Sequence, residues 1–199
     1  FPDSVIGLLL GVRGIGALIG NFATIWISRR DPRIGLFLGF AAQTVSCWIL
    51  AQFNINMTTE GVAWSSFVNG LGVGFGWVPI TIVMLSNLRE ADLPEGTAVL
   101  HLMRNMGSCI YVSVTVAVVT QFTTINYVEM SGIVSELNEL LRVPSITGLW
   151  TAGPMDGLPR LSVEIERQAA MVGYINAFYL LAMTGLASLP LILLVQKRG

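Results

Sequence analysis

AVLHLMRNMGSCIYVSVTVAVVTQF, residues 98–122, is long and apolar enough to cross a bilayer, yet a polar stripe runs down it. Thr97, His101, Arg104, Ser108, Tyr111 and Thr115 recur at alternating steps of four and three. At about 3.6 residues per turn that spacing puts all six on one helix face, with Val, Ile, Leu, Met and Ala on the others. A lipid-facing stripe of this kind is costly, since a charge in hydrocarbon costs at least about 2.5–3.5 kcal/mol on insertion scales. The stripe is therefore expected to face protein or a water-filled cavity, which makes a transport pathway the leading idea.

The rest of the chain agrees with a membrane setting. Of its 199 residues 53% are hydrophobic and 12% charged, against about 25% charged in an ordinary soluble domain. Five segments meet the length of about 20 apolar residues needed for a span: Ser4–Ile27, Ile34–Phe53, Val62–Leu85, Ala98–Phe122 and Met171–Val195. A net charge of −1 gives no case for a nucleic-acid partner. Cys47 and Cys109 both fall inside spans and read as small buried apolar residues, with no metal-ligand spacing and no cofactor motif.

Basic residues set the orientation. Arg29, Arg30 and Arg33 lie between the first two spans, Arg89 between the third and fourth, and Lys197 and Arg198 after the fifth. All fall on one side of a five-span alternation, placing Phe1 outside and Gly199 in the cytoplasm. Asp31-Pro32 reads as an N-cap and first-turn proline, and Asp92-Leu93-Pro94-Glu95 as a capping box. Between 123 and 170, Ile125, Val128, Val134, Leu137 and Leu141 approximate an apolar helical face, giving a short amphipathic helix on the outer surface. Val143–Arg160 is rich in Gly and Pro and reads as a connector, after which Ser162–Ala170 winds into the last span.

Asn69-Gly70-Leu71-Gly72-Val73-Gly74-Phe75-Gly76, followed by Pro79, is the densest glycine run. No strand precedes it and no Lys-Ser/Thr follows, so a phosphate cradle is the weaker reading. Within a span, glycines four apart let backbones approach; Gly7/Gly11, Gly16/Gly20 and Gly35/Gly39 repeat the spacing. Gly70, Gly72, Gly74, Gly76 and Pro79 are thus expected to serve helix packing and rocking. Arg13, mid-way along the first span, is either a pathway charge or a structural pin. The same choice holds for Arg104 with His101 and Ser108. Hydrolytic chemistry from Ser108 and His101 is disfavoured, as they lie two turns apart with no carboxylate to orient the imidazole. Arg30, Asp31 and Arg33 are either a helix stop and N-cap or a cytoplasmic charge latch.

Neither Arg13 nor Arg104 has an Asp or Glu partner within the spans. Backbone carbonyls, Asn69, Gln43 and water offer partial solvation. That imbalance, and a start at Phe1, lead us to expect a piece of a longer protein.

Taken in order, these features resemble the C-terminal part of a 14-span drug:H⁺ antiporter of the major facilitator superfamily, of the EmrB/QacA type. Arg13-Gly14-Ile15-Gly16 is similar to the Arg-Gly-x-Gly of the family's tenth span, and Gly20 through Arg33 to its degenerate cytoplasmic loop. Gly70–Gly74 with Val78-Pro79 resembles the twelfth span, Gly96, Arg104 and Gly107 the thirteenth, and Gln168-Ala169, Tyr174 and Phe178 the start of the last. His101 stands where the family usually has Asn, Cys109 and Tyr111 replace a Ser and a Gly, and Asn176 stands where Asp is frequent.

The resemblance implies an all-α integral membrane protein, five helices of the C-terminal bundle of a major facilitator fold. It implies a proton-coupled exporter of drugs or amphipathic compounds, not an enzyme, in a bacterial inner membrane. Expected partners are the bilayer, the N-terminal half of the same transporter, a small amphipathic substrate, protons and a periplasmic adaptor. Arg13, Asn69, His101, Arg104, Ser108 and Tyr111 would line or gate the pathway. An exporter of a siderophore, fatty acid or sugar on the same fold, and a non-transporting membrane scaffold, are the alternatives.

Overall fold

The computed structural model describes residues 3–29, 31–55, 57–86, 88–133 and 157–194. It is all-helical over these residues. Helix α1 spans Asp3–Ser28, α2 Pro32–Ala51, α3 Thr59–Leu85, α4 Leu93–Ile133 and α5 Gly157–Leu194, with one 3₁₀ turn at Glu90–Asp92. Each of the five helices contains a stretch long and apolar enough to cross a membrane.

Local chemistry accounts for the boundaries. Asp31 adopts the extended N-cap conformation and Pro32 is the first helical residue, where its missing N–H costs nothing; the Asp31 carboxylate makes no cap hydrogen bond to the first turn. Thr58 caps α3 by accepting from the Gly61 amide at 3.3 Å. The predicted capping box instead divides, with Asp92 closing the 3₁₀ turn and Leu93 opening α4. Helix α4 continues past Phe122 to Ile133, and Gly157–Arg160 already belongs to α5. The amphipathic-helix positions Val134, Leu137 and Leu141, and the connector from 143 to 156, lie outside the described residues.

The chain packs as two compact units, Phe1–Val112 with Phe178–Gly199, and Ser113–Ala177. In the first, α3 is the central helix and the glycine run explains why. At about 100° per residue, glycines two apart lie about 200° apart, so the run builds two smooth faces rather than one. Gly70 and Gly74 meet α1: a methyl added at Gly74 would sit 2.7 Å from the Asn21 amide and 2.8 Å from Gly20 Cα. Gly72 meets α2, where a methyl would come within 2.9 Å of the Gln43 amide nitrogen. From the opposite side, Gly20 of α1 and Gly39 of α2 would place theirs 2.7 Å from the Leu71 carbonyl and 2.8 Å from the Gly76 amide. Gly7 and Gly11, which share the spacing, face open space within the described residues.

Polar groups finish these two interfaces. Ser46 and Ser65 are fully buried between α2 and α3, Ser46 donating to the Ser65 carbonyl at 2.9 Å and Ser65 to the Ser46 carbonyl at 3.3 Å. Pro79 sits inside α3 and has no N–H for the Phe75 carbonyl four residues back. Thr24 of α1, fully buried, donates its hydroxyl to that carbonyl at 3.3 Å. The proline ring lies against Gly35 of α2, where an added Cβ would come within 2.6 Å of Cγ.

Helix α5 joins the first unit through Trp48 and Tyr179, whose rings meet edge to face at 5.8 Å, and through Gly185 against Thr44. In the second unit Gly173 of α5 approaches the Val119 carbonyl and Thr123 hydroxyl of α4, and Thr123 Oγ1 is buried without a partner. Cys47 is buried, whereas Cys109 lies exposed on α4 rather than buried as expected.

Large apolar side chains cover the outside. Leu8, Leu18, Phe22 and Trp26 of α1 are exposed, as are Val99, Leu102, Ile110 and Val116 of α4. An apolar surface this extensive is suited to lipid or to further protein.

Candidate functional site

A cavity of about 680 Å³ opens between α2, α3 and α4 in the first unit. Its size is in the range of pockets for small organic molecules, about 300–1,000 Å³. Gly39 and Phe40 of α2, Gly72, Val73, Gly76, Ile80 and Met84 of α3, and Leu100 and Met103 of α4 form smooth and apolar walls. The polar groups in its lining are Gln43, Thr81, Thr97, His101, Arg104 and the Trp77 indole.

The glycines that let α2 meet α3 also line the cavity: a Cβ at Gly39 or Gly72 would run into the backbone of the facing helix, whereas one at Gly76 would meet nothing within 4 Å. Above them, Arg104 Cζ lies 4.2 Å from the centre of the Trp77 ring. A cation over an indole face is favourable by about 0.5–2 kcal/mol. That falls short of the insertion cost of about 2.5–3.5 kcal/mol for arginine at mid-bilayer. Indole has no acceptor for the guanidinium N–H groups, so their hydrogen bonds are still unmet by this contact. Sequence reasoning looked to Asn69 and Gln43 for that role and missed Trp77. The signal available was an aromatic residue one position after the glycine run.

The polar stripe of α4 serves two neighbours. Thr97, His101 and Arg104 line the cavity, and the Thr97 hydroxyl donates to the Leu93 carbonyl within its own helix at 2.8 Å. Tyr111 instead hydrogen-bonds Thr184 of α5. Ser108 is exposed and outside the cavity lining. Arg13 is exposed on α1, and its carbonyl, not its side chain, packs against Gly70. Asn69 is half-buried on α3 and does not line the cavity either. Gly70 and Gly74 belong to the α1 interface, as described above. At the charged α1–α2 turn, Arg33 Nη2 and the Ser28 hydroxyl are buried without a hydrogen-bond partner. Arg30 lies outside the described residues. Among the described residues no cluster of His, Cys, Asp and Glu could hold a metal ion.

No protein-family description matches the chain, and no solved structure does. It is similar to an aspyridones efflux protein of Neocamarosporium betae, 29% identical over 110 residues. The matched stretch is 52% of this chain and 20% of that relative. At this identity the likeness suggests a transporter, and the five apolar helices are compatible with a multi-pass membrane protein.

Proposed function

We propose that the chain forms part of a membrane exporter that expels small amphipathic compounds by alternating access, and that Arg104 lines its pathway. The observation that carries this reading is the cavity itself, with apolar walls, a few polar groups and one guanidinium held on Trp77. The efflux relative supports export as the direction of transport; its named cargo is not carried over. In this reading the fold is that of the major facilitator C-terminal bundle, of the EmrB/QacA type, in a bacterial inner membrane with Phe1 outside and Gly199 in the cytoplasm. The remaining partners are an N-terminal half, protons as the exchanged ion, and a periplasmic adaptor. The glycine faces on both sides of α3 suit this role, because smooth helix contacts permit small rigid-body shifts. Substrate competition separates a drug pump from a metabolite exporter on the same fold, and a solute gradient in proteoliposomes separates either from a scaffold.

The deciding variant is Arg104→Ala in the protein expressed from its complete reading frame. Efflux is expected to be abolished while the amount of protein in the membrane is unchanged. Normal efflux would remove Arg104 from the pathway, and loss of the protein itself would make Arg104 a structural pin.

A further inference from the structure

We infer that the cavity between α2, α3 and α4 selects amphipathic anions, with a carboxylate or comparable acidic head on Arg104 and an apolar body along Phe40 and Met84. The inference rests on the proposed exporter reading for the cavity being a substrate site, and adds the charge class of the substrate. Three observations carry it. The first is charge: Arg104 is a lining residue, and among the described residues of the lining there is neither Asp nor Glu. A cationic amphipath would meet a fixed positive charge with no carboxylate in that lining to offset it.

The second is the state of the guanidinium. Its contact is the Trp77 ring at 4.2 Å, which holds the side chain at the cavity wall without supplying an acceptor. A carboxylate can take two of the waiting N–H groups at once, the geometry for which a guanidinium is best suited. The ring thus presets the arginine for the anion. The third is the distribution of the rest of the lining. Gln43 and His101 provide further polar groups, while the surrounding walls are aliphatic, aromatic and thioether. That arrangement fits a molecule with one polar end and one greasy end, and a small hydrophilic anion such as phosphate would leave the walls unused.

The test uses matched probes on the complete protein, purified in detergent: dansyl-labelled undecanoic acid, its primary amide, and the corresponding amine. At about pH 8 the acid is ionised and the amine protonated, so the three share a body and differ in charge. The acid is expected to bind at least roughly tenfold tighter than the amide, and the amine weakest. Arg104→Gln should reduce the acid to about the affinity of the amide, with an unchanged helical circular-dichroism spectrum reporting that the variant is folded. Arg104→Lys should retain part of the preference. An amine bound as tightly as the acid would overturn the inference, and would mean that another part of the protein supplies a carboxylate to the site. So would an acid-to-amide ratio indifferent to Arg104→Gln. If Arg104→Gln does not fold, the ranking of the three probes on the unaltered protein decides alone. The exporter reading is tested separately by the same probes in proteoliposomes. An acid-selective site that builds no gradient would retire export and leave the anion site standing, whereas a gradient carried preferentially by the amine would retire the anion site and leave export standing.

Discussion

At Gly74 one added carbon would be placed 2.7 Å from the Asn21 amide nitrogen and 2.8 Å from Gly20 Cα. Both are backbone atoms, and no rotamer change can move them aside. Gly74→Ala is therefore expected to force α1 and α3 apart and destabilise the protein by about 1–3 kcal/mol, the range for overpacking. Gly11→Ala, on the same helix as the contact but with nothing within 4 Å of the added methyl, should be neutral or stabilising by up to about 1 kcal/mol. Equilibrium unfolding in mixed micelles, read for the two variants side by side, checks this. Equal effects would show that helix propensity rather than backbone contact governs the glycines. The sequence carried the i, i+4 spacing of both positions alike. It had no means of saying which repeats meet another helix, since spacing is a property of one helix and contact is a property of two. Arg104 teaches the same lesson from the other direction: its need for a partner was legible, and the identity of that partner, Trp77, depended on how α3 and α4 approach.

The element where local and tertiary chemistry meet most directly is α3. Pro79 removes the donor for the Phe75 carbonyl, a consequence readable from the sequence. The replacement donor, Thr24, comes from another helix at 3.3 Å. In a membrane an unmet carbonyl is expensive and neighbouring Ser or Thr residues often meet it. Thr24→Val preserves shape and removes the hydroxyl, so it should cost about 0.6–1.7 kcal/mol. In a Pro79→Ala background, where residue 79 regains its amide, the same substitution should cost less. A double-mutant cycle on unfolding free energies isolates that coupling from the void that the lost proline ring leaves beside Gly35. Additive effects would mean that the Thr24 bond and the proline are unrelated. The polar stripe of α4 is a second case in which the element was legible and its neighbours were not. Periodicity aligned Thr97 to Thr115, but the stripe divides between a cavity at His101 and Arg104 and a hydrogen bond to α5 at Tyr111.

Across the whole molecule, orientation follows from charges that the apolar spans leave at their ends. Arg29 and Arg33 flank the α1–α2 turn and Arg89 precedes α4, while Gln52–Thr58 between α2 and α3 has no Lys or Arg. Chain alternation then requires the first two connections on this list to share a side and the third to lie opposite, so a single pair of labels tests the arrangement. In a background of Cys47→Ala and Cys109→Ala, a cysteine at Asn54 and one at Arg89 would each occupy an exposed position. With a maleimide that cannot cross membranes, Asn54→Cys should react on intact cells, and Arg89→Cys only after the membrane is opened. The reverse pattern would invert the protein and place His101 and Arg104, early in α4, nearer the outer face. Reaction of both from one side would mean that α3 does not cross. The second outcome would weigh most heavily on function, because the cavity walls on α3 and α4 can alternate between two compartments only if both helices span the barrier that separates them.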